Sequence, residues 1–220
     1  MKISEIFYSV QGEGTLVGVP SIFIRTSGCN LRCAWCDTPY TSWNPEGQEM
    51  SIPKILEEAA RFPAKHAVVT GGEPMLFDEV IELTQALNMH ITIETAGTVY
   101  KAMKCDLMSI SPKLSNSTPE GKFASQHERL RYQPEVLKTL MADYEYQLKF
   151  VISSPSDFTE IESILTATNA CRERVVLMPE GTDPETIRTR AAWITELCKR
   201  ENFRYSPRLH IDLYGNRRGV

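Results

Sequence analysis

Cys29, Cys33 and Cys36 stand at C-x3-C-x2-C spacing within Gly28-Cys29-Asn30-Leu31-Arg32-Cys33-Ala34-Trp35-Cys36-Asp37-Thr38. On a short segment after an apolar, strand-like run, this spacing can converge three thiolates on one face of an iron–sulfur cluster. A [4Fe–4S] cube has four irons and ordinarily takes four cysteines, so three ligands leave one iron open to a substrate or cofactor. Structural zinc wants a closed set of four ligands, usually as two close pairs. No histidine or fourth cysteine lies near the triplet, and His66 and Cys105 are too far along the chain to belong to it. The six cysteines are spread thinly through 220 residues behind no signal-peptide pattern, which disfavours a disulfide framework and makes the reducing cytoplasm the expected location. Cys105, Cys171 and Cys198 read as ordinary small, buried or half-buried residues.

Two further stretches could do chemistry. Gln11-Gly12-Glu13-Gly14 breaks a short strand-like start. Read alone it is first a turn with permissive glycines, and second a backbone laid close to a ligand, with Gln11 and Glu13 offering donors and acceptors. Gly71-Gly72-Glu73-Pro74 follows the apolar run His66-Ala67-Val68-Val69-Thr70. It reads as the loop that ends that strand.

These residues need elements to hold them. Net charge is -4, from 24 Lys+Arg against 28 Asp+Glu, which gives no general basic field for nucleic acid. No apolar run approaches the roughly 18 residues that span a bilayer. Strand-like runs at Ser21–Thr26, His66–Thr70, Ile91–Thr95, Asp106–Ile110, Gln147–Ile152 and Arg174–Met178 alternate with helical stripes, among them Ile52/Ile55/Leu56/Ala59 and Ile187/Ala191/Ile194/Leu197. Asp183-Pro184-Glu185 marks a helix start, Pro134 another, and Ser51 stands where an N-cap belongs. Leu114 to His127 reads as a polar loop able to fold over a site, and Arg208 to Leu213 as a last extended segment. Alternating strands and helices imply parallel pairing through right-handed crossovers. Six units are two short of a closed eightfold barrel, so the expected fold is α/β, an open, partial (β/α)6-type TIM barrel forming one domain over residues 1–220. In such folds chemistry sits at the carboxyl ends of the strands, where the cysteine loop, Gly71–Pro74, Glu94–Gly97, Ser111–Lys113 and Met178–Gly181 all fall.

The cysteine triplet, followed one strand later by Gly71-Gly72-Glu73-Pro74, resembles the radical S-adenosylmethionine (SAM) superfamily, whose barrel is of this open kind. Within it, Glu5-Ile6-Phe7-Tyr8-Ser9-Val10-Gln11-Gly12-Glu13-Gly14, Phe23-Ile24-Arg25-Thr26-Ser27-Gly28-Cys29, Trp35-Cys36-Asp37-Thr38, Ser111-Pro112-Lys113 and the ending from Leu209-His210 to Val220 resemble the 7-carboxy-7-deazaguanine synthase family. The resemblance runs from near residue 5 to the end and is weakest at Leu114–Tyr144 and Ser153–Arg172. It implies ring contraction of 6-carboxy-5,6,7,8-tetrahydropterin to 7-carboxy-7-deazaguanine with release of ammonia, in the biosynthesis of queuosine and related 7-deazapurines. Implied with it are a [4Fe–4S] cluster on Cys29, Cys33 and Cys36, SAM, Mg2+, an electron donor such as flavodoxin or ferredoxin, and a homodimer.

By the same resemblance, Trp35, Cys36, Asp37, Gly72, Glu73, Ser111, Pro112, Lys113, Met178, Pro179, Glu180 and Gly181 line the SAM site. Val10, Gln11, Gly12, Glu13, Arg25, Thr70, His210 and the carboxylate of Val220 meet the pterin, and the tail 203–220 closes over it. Thr38 matches the position whose hydroxyl contacts Mg2+, an ion that keeps most of its other ligands from water and substrate; without the family it is a loop-capping hydroxyl. Arg25 suits a bidentate grip on a carboxylate; its plainer role is a surface ion pair. Trp35 could equally cover apolar surface. Two rival readings are a glycyl-radical activating enzyme, which needs a protein-docking face, and a non-catalytic iron–sulfur or zinc-binding module, in which Gly71–Pro74 has no role.

Overall fold

Successive side chains of each central strand point to opposite faces, and that parity sorts the two faces of the sheet. The computed structural model describes all 220 residues. Its strands are β1 (Lys2–Val10), β2 (Pro20–Thr26), β3 (Gln48–Glu49), β4 (His66–Gly71), β5 (His90–Thr95), β6 (Leu107–Ile110), β7 (Tyr146–Ile152), β8 (Val175–Pro179) and β9 (Arg204–Tyr205). They form one open sheet in the order β3-β1-β2-β4-β5-β6-β7-β8-β9. From β2 to β9 all neighbours are parallel, while β1 runs antiparallel to both β2 and β3. The six expected parallel strands are therefore all present, within a residue or two at each end. β9 adds a seventh, and β1 pairs with β2 over Glu5↔Arg25 and Phe7↔Phe23.

One face of the sheet carries Ile22, Ile24, Ala67, Val69, Ile91, Ile93, Met108, Ile110, Leu148, Phe150, Ile152, Val175 and Leu177, all in the main core. Against it pack the helices α1 (Ile52–Ala59), α2 (Glu79–Ala86), α3 (Pro134–Asp143), α4 (Asp157–Thr168) and α5 (Pro184–Glu201), through buried residues such as Ile55, Leu83, Leu140, Ile161 and Ile194. Each such side chain contributes about 1.5–3 kcal/mol on burial. The opposite, concave face belongs to the other parity: Ser21, His66, Thr70, Thr92, Glu94, Ser109, Gln147 and Lys149. Its polar groups bond to one another. Ser21 Oγ lies 2.7 Å from His66 Nδ1, His66 Nε2 2.8 Å from Thr92 Oγ1, and Gln147 Nε2 donates to Ser109 Oγ at 2.8 Å.

The structure corrects the sequence reading in three places. The β5–β6 connection, residues 96–106, contains no helix, so the strand–helix alternation is broken there. The stretch Leu114–His127 holds two 3-10 turns and the start of a helix, Ala124–Arg131, with Ser117 and His127 buried. Arg208–Leu213 is not extended. Residues Leu209–Tyr214 form a short helix, because Leu209 N–H donates to the Gly12 carbonyl (2.9 Å) and Ile211 is buried at 2% exposure. Asp183 does cap α5, accepting from Thr186 N–H at 2.9 Å, whereas Ser51 occupies the N-cap of α1 without a side-chain bond. No helix is long and apolar enough to cross a membrane.

Candidate active site

A cavity of about 450 Å³ opens at the carboxyl ends of the parallel strands, on the concave side. The cysteine loop leaves β2 and forms one wall. Leu31 anchors it, 1% exposed and packed with Cys33 and Ala96. The loop is also pinned from behind: Ala34 N–H donates to the Ser117 carbonyl (2.8 Å), Trp43 Nε1 to the Cys33 carbonyl (3.0 Å) and Trp35 Nε1 to the Asn116 carbonyl (3.0 Å). The segment expected to fold over the site is thus a wall behind the cysteines.

Cys29, Cys33 and Cys36 are all unpaired and line the cavity. Burial pushes the Cys29 thiol up to about 12 and the Cys33 thiol up to about 11, so their thiolate forms call for a strong local positive charge. No three His, Cys, Asp or Glu side chains converge tightly enough to chelate a single ion. Three soft thiol donors spread along one cavity wall, with no fourth, fit an iron–sulfur cube held by three corners.

The glycine loop is stitched directly to this wall. Gly72 N–H donates to the Thr26 carbonyl (3.2 Å) and Glu73 N–H to the Gly28 carbonyl (2.9 Å). A Cβ on Gly72 would fall 2.1 Å from the Gly28 carbonyl oxygen, so only glycine permits this approach. Glu73 does not face the cavity. It is fully buried and accepts from Thr95 Oγ1 (2.9 Å), Ala96 N–H (2.8 Å) and Met75 N–H (3.1 Å), with burial raising its carboxyl above the usual range. It braces the loop rather than presenting an acceptor to a ligand.

Of the other residues expected at a cofactor site, Trp35, Asp37, Gly72, Ser111, Lys113 and Met178 line the cavity, whereas Pro112, Pro179, Glu180 and Gly181 do not. Pro112 and Pro179 are buried. Glu180 is paired with Arg190, and the Gly181 carbonyl accepts from Arg208. Lys113 Nζ bonds Ser111 Oγ (2.8 Å) and lies 5.8 Å over the Trp35 ring. Thr38 faces the cavity beside Cys36, its Oγ1 3.9 Å from the sulfur.

All of the expected substrate residues, Val10, Gln11, Gly12, Glu13, Arg25, Thr70, His210 and Val220, do line the cavity. Gly12 again admits a close approach, since a Cβ there would sit 2.0 Å from His210 Nδ1. Arg25 donates from Nε to Glu5 Oε1 at 2.7 Å and stacks on Phe7, 5.6 Å from the ring centroid. Burial opposes ionisation of Glu13, yet Lys149, Arg208 and His210 hold its carboxyl well below the usual range. Burial likewise lowers His210 despite its nearness to Glu13.

Among the cavity residues to which the sequence reading gave no individual role are Glu5, Tyr40, Glu94, Lys149 and Arg208. Glu94 accepts from Gln11 Nε2 (3.1 Å) and Thr70 Oγ1 (2.8 Å), leaving a carboxylate set into the floor. Lys149 pairs with Glu13. A signal existed for two of them: Glu94 and Lys149 are charged residues inside strands, on the parity opposite the core. Arg208 carries no such mark.

The comparisons agree with this geometry. The model of the Radical SAM superfamily matches residues 23–118. Over 234 aligned residues the chain is 44% identical to the 7-carboxy-7-deazaguanine synthase of Halobacterium salinarum, covering 98% of this chain and 91% of that one. It is 42% identical to the 7-carboxy-7-deazaguanine synthase of Rhodopirellula baltica, covering 100% and 89%. Among solved structures, QueE from Escherichia coli superposes with a TM-score of 0.71 at 26% identity, covering 95% of this chain and 94% of that one. With its open sheet and three cavity-lining cysteines, the chain belongs to the 7-carboxy-7-deazaguanine synthase family of radical SAM enzymes.

Proposed function

We propose that this chain converts 6-carboxy-5,6,7,8-tetrahydropterin to 7-carboxy-7-deazaguanine with release of ammonia. The observation that carries the reading is that a guanidinium, Arg25, and a floor carboxylate, Glu94, line the same cavity as the three cysteines. Arg25 suits the substrate's carboxylate, because Glu5 engages its Nε and its terminal nitrogens make no bond to the protein. Glu94, held by Gln11 and Thr70, suits the N–H donors of an aminopyrimidinone edge. Such a site rejects analogues lacking either group, since its own polar atoms would be left unpaired.

Cys29, Cys33 and Cys36 would hold a [4Fe–4S] cluster, and Trp35, Asp37, Gly72, Ser111, Lys113 and Met178 would border SAM. Bound together, these groups supply the hydrogen-atom abstraction that begins the rearrangement. The chain's own residues orient the substrate and exclude water: the buried loop behind Leu31 closes one side, and the tail residues Asn216 to Val220 border the other. We extend the reading to Mg2+ beside the Thr38 hydroxyl, to an electron donor of the flavodoxin or ferredoxin kind, to a homodimer, and to a cytoplasmic location. A cell lacking its own 7-carboxy-7-deazaguanine synthase, supplied with this chain, should regain queuosine in its tRNA. Iron-loaded, soluble protein that restores none would contradict the proposal.

A further inference from the structure

Arg208 is almost completely enclosed, with 5% of its side chain exposed, and it touches three loops that are far apart in sequence. Its Nε donates to Glu13 Oε1 at 3.2 Å, one terminal nitrogen donates to Asp37 Oδ2, and the other to the Gly181 carbonyl. Glu13 borders the side of the cavity assigned to the pterin, and Asp37 follows the last cluster cysteine on the side assigned to SAM. We infer that Arg208 is a positioning residue that fixes the register between these two halves of the cavity by holding Glu13 and Asp37 on one guanidinium. The inference rests on the proposed function for the identity of the two ligands.

Charge neutralisation accounts for the bond from Arg208 to Asp37, which has no other cationic partner, but not for its bond to Glu13. Glu13 already has Lys149 as a partner, so Arg208 is not needed to make that carboxylate tolerable. What Arg208 alone does is join Glu13 to Asp37. A planar guanidinium can serve two carboxylates and a carbonyl in fixed directions, whereas an ammonium is a compact point charge without that fork. The backbone beside it is fixed as well. Ser206 N–H donates to the Leu177 carbonyl (2.9 Å), Gly14 N–H to Ser206 Oγ (2.7 Å) and Leu209 N–H to the Gly12 carbonyl (2.9 Å). Arg208 thus stands on a base tied to β8 and to the first loop and reaches across to the cysteine loop. A misplacement of about 1 Å between reacting partners can cost on the order of a hundredfold in rate, so the register is worth holding.

The test uses Arg208→Lys and Arg208→Gln in the iron-reconstituted protein. Two quantities are read: 7-carboxy-7-deazaguanine formed per 5′-deoxyadenosine released, and the affinity for SAM with and without the pterin. Both variants should lose about tenfold or more in the product ratio and in the tightening of SAM by substrate, within the usual span of coupling between sites. Their affinity for SAM alone should change far less. In the metal-free protein, amide exchange over residues 13–15 and 37–41 should rise while residues 22–24 stay protected. Full retention of ratio and coupling in Arg208→Lys would overturn the inference, because charge would then suffice. Should Arg208→Gln fail to fold, Asp37→Ala, which removes the acceptor of one arm, is expected to shift the ratio in the same direction; an unchanged ratio there also overturns it. Parent protein that makes no deazaguanine counts against the proposed function instead, and the exchange measurement still decides whether Arg208 holds the two loops.

Discussion

Arg25 donates from Nε to Glu5 Oε1 at 2.7 Å, across the β1–β2 register that sets the two residues opposite each other. Tyr40 donates its hydroxyl to the same oxygen at 2.9 Å, and the Arg218 guanidinium lies 3.7 Å over the Tyr40 ring. The Arg25 guanidinium is therefore aimed by a neighbour and connected through Tyr40 to the tail. Glu5→Gln should raise KM for the pterin about tenfold, the equivalent of about 1.4 kcal/mol, with a smaller effect on kcat. Arg25→Ala should weaken pterin binding further while SAM still binds, as titration of each ligand separately would reveal. Equal loss of both ligands would show that Arg25 serves the cofactor.

Much of this architecture was legible in the chain, for identifiable reasons. Runs such as Ala67-Val68-Val69 and Leu148-Lys149-Phe150-Val151, bounded by glycine and proline, mark buried parallel strands, and the cysteine spacing marks the cluster loop. The helix at Leu209–Tyr214 was not legible. Leu209-His210-Ile211-Asp212-Leu213 alternates apolar and polar residues as a strand would, and the helix goes with two long-range features, the bond from Leu209 to Gly12 and the burial of Ile211. Glu73 shows a second limit, since a loop carboxylate can turn inward or outward and its direction is set by Thr95 and Ala96, more than 20 residues away. Arg208 shows a third, because its partners are scattered across the chain.

Cys33 sits at 8% exposure beside Leu31 and Ala96, in a small cluster apart from the main core. Cys33→Ala should therefore stay folded, losing at most about 2 kcal/mol, while iron content falls and turnover disappears. Iron analysis and a thermal melt of the same sample check both halves. A fully active Cys33→Ala protein would refute the ligand assignment.

Gly72 has a different kind of importance. An added methyl would meet the Gly28 and Thr41 carbonyl oxygens at 2.1 and 2.8 Å, both backbone atoms that cannot swing aside. Gly72→Ala should cost about 3 kcal/mol of stability and part the glycine loop from the cysteine loop. Denaturant titration would show it as a lower midpoint, and an unchanged midpoint would mean that the two loops can separate freely.

His66 makes stability depend on pH. Burial first, and the neighbouring His90 second, push its imidazole from 6.5 down to about 4. Below about pH 6.5 the unfolded chain takes up a proton that the folded chain refuses. The contribution is full above that pH and declines toward pH 4, by on the order of 3 kcal/mol at the lower end. His66→Gln keeps a hydrogen-bonding side chain between Ser21 and Thr92 without a titrating group, so its stability should fall less than the parent's between pH 7 and 5. Parallel pH profiles for the two proteins would remove His66 as the cause.

The central claim is that the three cysteines and the polar floor around Glu94 serve one reaction on one small substrate. Its most direct test is anaerobic turnover of the iron-reconstituted protein with dithionite, SAM, Mg2+ and 6-carboxy-5,6,7,8-tetrahydropterin, read by mass spectrometry. The account predicts many molecules of 7-carboxy-7-deazaguanine for each molecule of 5′-deoxyadenosine. Slow release of 5′-deoxyadenosine with no deazaguanine would contradict it, leaving the radical machinery intact and requiring a different substrate.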